Sequence, residues 1–178
     1  MPRAELGSQP RRVVFSWELH DGDIVARGDG AARIAPPDSV RLDFFLAGGE
    51  GGGAAVVIGD SVRLPPAGDA RRLLPTPPLL WAALGRVALP AVVDTVARVE
   101  GSILRVDLGR PVRWRVTFDG DSLRRLERVA GGRVQEWVAR GDGGRVTYRN
   151  ESDRRTLDLV INTSVATGPF DASLWSFP

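Results

Sequence analysis

The stretch VVFSWELHDGDIVARG, Val13–Gly28, alternates apolar and polar residues and then turns. Phe15, Trp17 and Leu19 fall on one face of an extended segment, with Ser16, Glu18 and His20 on the other. That is the period of two of a half-buried strand. Asp21-Gly22-Asp23 interrupts it with residues that tolerate positive φ, the chemistry of a hairpin turn. The pattern repeats as far as Leu64. A strand over Ile24–Ile34 ends at Pro36-Pro37-Asp38, because proline donates nothing to a ladder. A strand over Val40–Ala47 places Val40, Leu42, Phe44 and Leu46 together, the glycine-rich Gly48–Gly53 turns, and Ala54–Ile58 and Ser61–Leu64 flank Gly59-Asp60. Short strands with turn residues every ten positions or so predict antiparallel sheet.

A proline-flanked apolar segment, Pro75–Pro90, follows directly. Thr76 has the chemistry of an N-cap, Pro77 suits the first helical position, and Gly85 suits the C-cap, so LLWAALG at Leu79–Gly85 predicts one short helix. It is nearly all apolar, so it cannot be solvated on every side and must cover one face of the sheet. Hairpins then resume: Val92–Val99 with Ile103–Leu108, Val112–Phe118 with Leu123–Val129, Val134–Arg140 with Arg145–Arg149, and a last strand over Arg155–Asn162. The expected fold class is all-β: a single curved antiparallel sheet of about ten or eleven strands with a short helical lid. No βαβ alternation supports a parallel sheet. Residues 1–12 read as a flexible lead-in and residues 13–178 as one domain.

The chain has 178 residues, 43% of them hydrophobic and 26% charged, ordinary values for a globular domain. No apolar run reaches the ~20 residues of a membrane-spanning helix. Met1–Arg12 has no apolar signal core, so an envelope location requires a targeting segment absent from this sequence. All 24 basic residues are arginine, set against 22 acids. They alternate with apolar residues, as in Arg113-Trp114-Arg115-Val116, or sit beside acids, as in Arg105-Val106-Asp107. That spacing places them on the solvated faces of strands rather than in a nucleic-acid-binding module. With no cysteine there is no disulfide, thiolate metal site or cysteine nucleophile.

The motifs with chemical associations read as turns. Gly120-Asp121-Ser122-Leu123 spells a short serine-hydrolase string and Gly59-Asp60-Ser61 nearly repeats it. A serine nucleophile needs a base, and the single histidine, His20, lies upstream of both on a strand. Asp21/Asp23 and Asp119/Asp121 do not extend into a calcium loop. Gly48–Gly53 and Gly28-x-Gly30 lead into strand rather than helix, against a phosphate cradle. No metal site, cofactor or enzymatic activity is expected. The aromatic positions Phe15, Trp17, Phe44, Trp81, Trp114, Phe118 and Trp137 fit either an ordinary core or a concave apolar lining. The second reading gains weight because one small helix cannot fill the inner face of so many strands, and it sets the expected space at about 300–1,000 Å³, the size of ligand pockets.

Several of these residues fall in an order that resembles the Lol-type lipoprotein carriers and receptors. The order strand, Gly28-x-Gly30, strand, Pro37-Asp38, then a strand containing Leu42 looks like the start of that family. Pro77-Pro78-Leu79-Leu80-Trp81-Ala82-Ala83-Leu84-Gly85, ending at Leu89-Pro90, is similar to the receptor's proline-tryptophan-glycine helix. Asp121-Ser122-Leu123-Arg124-Arg125-Leu126 is similar to a family hairpin. The resemblance implies an unclosed β-barrel with a helical lid over an apolar cavity, which shelters an acyl chain of a lipid or acylated lipoprotein in the bacterial envelope. The expected lining is Phe15, Trp17, Leu42, Phe44, Leu79, Leu80, Trp81, Leu84, Trp114, Phe118 and Trp137. The expected partners are the acyl chain and a membrane surface, with the protein a monomer. Two departures stand out: the arginine that precedes the carrier's Pro-Asn pair and bonds the lid is Pro36 here, and the receptor's N-terminal cysteine is missing. The rival reading is a structural or interaction domain with a filled core, docking a partner through its arginine-rich faces or Leu73-Leu74.

Overall fold

Each period-two run becomes a strand. A computed structural model describes residues 5–49, 51–66 and 70–177. In chain order the strands are β1 (Arg11–Asp21), β2 (Ile24–Ala35), β3 (Ser39–Leu46), β4 (Gly52–Ile58), β5 (Ser61–Arg63), β6 (Thr95–Glu100), β7 (Ile103–Leu108), β8 (Trp114–Asp119), β9 (Ser122–Ala130), β10 (Arg133–Arg140), β11 (Arg145–Asn150) and β12 (Arg155–Ala166), with α1 over Pro77–Ala83. They form one antiparallel sheet in the order β5-β4-β3-β2-β1-β12-β11-β10-β9-β8-β7-β6. The chain is thus two meanders joined at the centre, where β1 pairs with β12 and sets Trp17 opposite Leu159 and Leu19 opposite Leu157. The sheet does not close: β5 and β6 are its two edges.

The lead-in is shorter than the sequence reading placed it. Arg11 already pairs with Ile34 on one side and Ala166 on the other, so β1 starts two residues before Val13. β6 is shorter than its apolar run, and residues 90–94 form a loop ahead of it. Ala70–Leu73, inside the proline-rich connection, form a 3₁₀ turn that the sequence reading did not foresee.

The connection from β5 to β6 crosses the inner face, carrying the 3₁₀ turn and α1. α1 packs on β9, β10 and β11, yet its Trp81 indole nitrogen donates to the Gly59 carbonyl in the β4–β5 turn at 2.8 Å. β4 and β10 are six interstrand steps apart in the sheet, about 29 Å if it were flat at about 4.8 Å per step. A short helix can touch both only because the sheet curls. Gly30 makes room for the Phe15 ring: a Cβ there would lie 2.4 Å from it, so no larger residue leaves the ring lying across β2.

The two faces differ as alternation requires. Inward lie Val13, Phe15, Trp17 and Leu19 of β1, Val40, Leu42 and Phe44 of β3, and Trp114, Val116 and Phe118 of β8, all buried. On the outer face of the second meander, Arg115 bonds Asp107 at 2.7 Å and Glu127 at 3.2 Å. Arg125 also bonds Glu127, at 2.6 Å. The arginine stems cover these two carboxylates, which is how Asp107 and Glu127 are buried on the solvent side of a sheet.

Antiparallel order also sorts the turns. Those of β1–β2, β3–β4, β7–β8, β9–β10 and β11–β12 lie at one end of the sheet, the mouth, and the remaining five at the far end. Among the described residues no helix is long and apolar enough to cross a membrane.

Candidate functional site: an apolar pocket beneath a pinned helix

α1 lies along one strand, which holds its C-terminal end. Thr76 does not cap the helix with its side chain. Its hydroxyl points to Glu136 Oε2 at 3.5 Å, while its carbonyl accepts from the amides of Leu79 and Leu80, both at 3.0 Å. At the other end Gly85 sits at φ +97°. The Arg86 amide donates to Trp81 O at 2.8 Å and the Gly85 amide to Ala82 O at 3.0 Å, a Schellman closure. The next free carbonyl, that of Ala83, accepts from the Arg140 guanidinium. Glu136, Val138 and Arg140 share the inner side of β10, so α1 lies along that strand with a carboxylate near its start and a cation at its end. The cation matches the partial negative charge of a helix C-terminus. Burial pushes the Arg140 pKa down, so desolvation opposes part of what the bond contributes.

Between α1, the 3₁₀ turn and strands β1, β2, β3, β11 and β12 lies a pocket lined by apolar side chains and by Tyr148. Of the expected lining, Phe15, Leu42, Phe44, Leu80 and Leu84 stand in its wall. Leu73, Leu74 and Pro75 join them, so the Leu73-Leu74 pair offered as a docking surface faces the pocket instead. The Tyr148 phenol is pushed up to about 12, first by burial and then by the nearby Glu136 carboxylate. It stays neutral at physiological pH, and the wall carries no charge.

The other expected lining residues lie elsewhere. Trp17 borders a neighbouring vestibule of about 180 Å³, which shares Phe44 and Leu73 with the pocket and is rimmed by Ile24 and Leu46 at the mouth. Leu79 and Trp81 are buried but turn away from the pocket, Trp81 pinned by Gly59 and stacked under Arg86 with 5.1 Å to its ring centre. Trp114 and Phe118 belong to the continuous core beyond α1. Trp137 is a correction: it lies on the outer face, its indole bonded to Glu151 at 2.8 Å and its ring 4.0 Å beneath the Arg125 guanidinium. Its neighbours Glu136 and Val138 take the inward positions.

The size is a second correction. The pocket has about 60 Å³, the share of about two water molecules rather than the expected 300–1,000 Å³. Leu73, Leu74 and Pro75 occupy the space that the small helix leaves open. A larger depression of about 500 Å³ lies on the outer face between β1, β2 and β12, but Glu18, Arg27, Asp29 and Asp158 line it and it is no apolar container.

The hydrolase string stays a turn. Ser122 opens β9 at the far end, whereas His20 lies near the mouth end of β1 and bonds Glu18 at 2.6 Å. No group of three metal-ligating side chains occurs among the described residues.

No protein-family model and no curated protein matches the sequence. Solved structures do match the fold. A LolA-superfamily protein from Nitrosomonas europaea superposes with a TM-score of 0.62 at 10% identity, covering 96% of this chain and 92% of that one. A domain assigned to outer membrane lipoprotein sorting, from Vibrio parahaemolyticus, superposes with a TM-score of 0.54 at 7% identity, covering 96% and 91%. A DUF1329 family protein from Desulfovibrio piger gives 0.50 at 10% identity, covering 95% and 90%. The chain has the Lol-type fold: an antiparallel sheet left open at β5 and β6, with a short helix across its inner face.

Proposed function

We propose that this protein binds the acyl chain of a lipid or acylated protein, without catalysis, in the space between the sheet and α1, and that it works in the bacterial cell envelope. The observation that carries the reading is the wall of the pocket: sixteen residues contribute to it, none is charged, and its one phenol is neutral. Such a surface offers a ligand nothing but apolar burial, about 0.8 kcal/mol per methylene of an acyl chain. The neighbouring vestibule, separated from the pocket by Phe44 and Leu73, is the entry path in this reading.

At about 60 Å³ the pocket is too small for an acyl chain as it stands. A chain enters only when α1 or the 3₁₀ turn swings out and withdraws Leu80, Leu84, Leu73 and Leu74 from the space. Binding therefore selects an open state, and apparent affinity scales with that state's population. The small volume also favours a second reading, a structural domain whose core its own side chains fill.

Thermal unfolding with a long-chain fatty acid separates the two. Ligand at 100 times its Kd stabilises the folded state by about 2.7 kcal/mol. For a chain of this length that raises Tm by roughly 5–10 °C. No shift, together with no lipid carried through purification, would establish the filled-core domain.

A further inference from the structure

The sheet ends on two edges of unequal kind. β5 has three residues and leads into the connection across the inner face, a short edge of the sort that discourages further pairing. β6 has six residues, all exposed, with no proline and no register shift against β7. The Gly109 amide donates to the Asp94 carbonyl at 2.7 Å, just ahead of β6. Residues of an antiparallel strand alternate in the side to which they bond. Asp94, Val96, Arg98 and Glu100 therefore bond toward β7, and Thr95, Ala97 and Val99 direct their amides and carbonyls away from the sheet. Val96 and Val99 are 54% and 71% exposed along this row.

The edge is complementary to itself in one register. A two-fold axis normal to the sheet keeps each face on its own side, so residues that face each other share parity and the axis passes through a residue. An axis at Ala97 sets Asp94 opposite Glu100, and an axis at Arg98 sets two guanidinium groups opposite each other. Like charges directly opposite destabilise a strand pair. An axis at Thr95 runs β6 against the loop before it, and an axis at Val99 runs out at the Gly101-Ser102 turn. An axis at Val96 sets Val96 against its own copy and Asp94 opposite Arg98, twice. It also pairs Thr95 with Ala97, whose outward groups then make about four hydrogen bonds across the junction. Asp94, Val96 and Arg98 border one outer crevice of about 390 Å³ together with Asp107. Asp94 has no ion-pair partner among the described residues. Arg98 reaches Asp107 at 3.5 Å and still leaves its side chain 66% exposed.

We propose that the protein pairs with a second copy of itself through β6, antiparallel about an axis at Val96, so that two sheets run on as one. The row supplies its own opposite charges in this register, which selects a second copy over a foreign strand. The two mouths then point opposite ways. The pocket wall, drawn from β1–β3, β11, β12 and the connection across the inner face, lies clear of the junction. The inference goes beyond acyl-chain binding and does not depend on it.

The test uses the full chain. Sedimentation velocity should show a dimer that forms as concentration rises. Ala97→Pro removes an amide that points away from the sheet and leaves the β6–β7 ladder in place, as proline does on an edge; it should abolish the dimer. Asp94→Arg, outside β6, turns both charge pairs from attraction to repulsion and should weaken the dimer about tenfold. Its circular dichroism and Tm as a monomer should match the parent's, which separates lost pairing from lost folding. Because the chain has no cysteine, Val96→Cys reads the register. A non-hydrogen-bonded pair brings Cα atoms to about 4.5 Å, within disulfide reach, so mild oxidation should link two copies there. A monomer at every concentration, the state expected from the family resemblance, would overturn the proposal. So would a dimer indifferent to Ala97→Pro and Asp94→Arg. Links formed at Ala97→Cys, at Val99→Cys or at Val62→Cys on the β5 edge as readily as at Val96→Cys would also overturn it. Fatty-acid binding per chain should be the same in Asp94→Arg and the parent, so failure here and failure of the acyl reading give different results.

Discussion

Arg140→Met tests whether α1 is a lid. The guanidinium donates to the Ala83 carbonyl at the end of the helix, and hydrogen bonds from charged groups contribute about 1.5–3 kcal/mol. Burial lowers the Arg140 pKa, so desolvation cancels part of this and the lower limit, about 1.5 kcal/mol, applies. Methionine keeps most of the stem's packing and removes the donor. If α1 must swing out to admit a chain, this bond exists only in the closed state. Its loss then lowers Tm by about 3–6 °C for a domain of this size and raises the open population roughly tenfold, tightening apparent acyl-chain affinity by the same factor. The two effects have opposite signs, which ordinary damage to a binding site does not produce. Differential scanning calorimetry reads the first, and titration with a fluorescent fatty acid reads the second. A lower Tm with unchanged or weaker binding would refute the lid, and α1 would then be a fixed part of the core.

Three further outcomes are expected. Leu80→Asp places an unpartnered charge in the pocket wall at a cost of several kcal/mol; it should abolish fatty-acid binding while leaving the β-type circular dichroism spectrum, and outright unfolding would mark α1 as core. Trp137→Ala should leave fatty-acid binding unchanged and cost about 1–2 kcal/mol through its stacking and hydrogen bond, whereas Phe44→Ala, in the wall, should cost about 3–5 kcal/mol and alter binding. Tyr148 is the single tyrosine, so ultraviolet titration reads it alone. Its folded pKa of about 12 lies above the usual 10, so the folded state holds the proton more tightly. That contribution is complete below pH 10 and is lost as pH rises from 10 through 12. Tyr148→Phe should flatten this alkaline loss of stability, and a phenol titrating near 10 in the native protein would contradict the burial.

Much of the fold was legible because its determinants are local. Alternation at Phe15, Trp17 and Leu19 depends on strand geometry alone, and Asp21-Gly22 and Gly120-Asp121 turn the chain by their own backbone preferences. Pro77 and Gly85 mark the ends of α1 for the same reason. Within the site, Phe15, Leu42, Phe44, Leu80 and Leu84 could be found by sharing a face with other apolar residues.

The misreadings fall where non-local partners decide. In β10 the run Val134–Arg140 offers apolar residues to both faces, and a register shift between Val134 and Glu136 unsettles parity further. Trp137 reads as the inward residue until α1 is in place. Glu136 turns inward to Arg128 and Asn150 of the neighbouring strands, Arg140 turns inward to the end of the helix, and Trp137 is left to stack under Arg125 outside. Pocket volume is equally non-local. It depends on how residues 70–76 fold back across the inner face, which no period or turn signal in that proline-rich segment encodes. The sequence by itself determined the strands, the turns and the helix, since each follows from conformational preferences within a few residues. The tertiary structure alone decided which face of β10 is inside, how α1 is latched and how little space lies beneath it, since those depend on side chains brought together from distant parts of the chain.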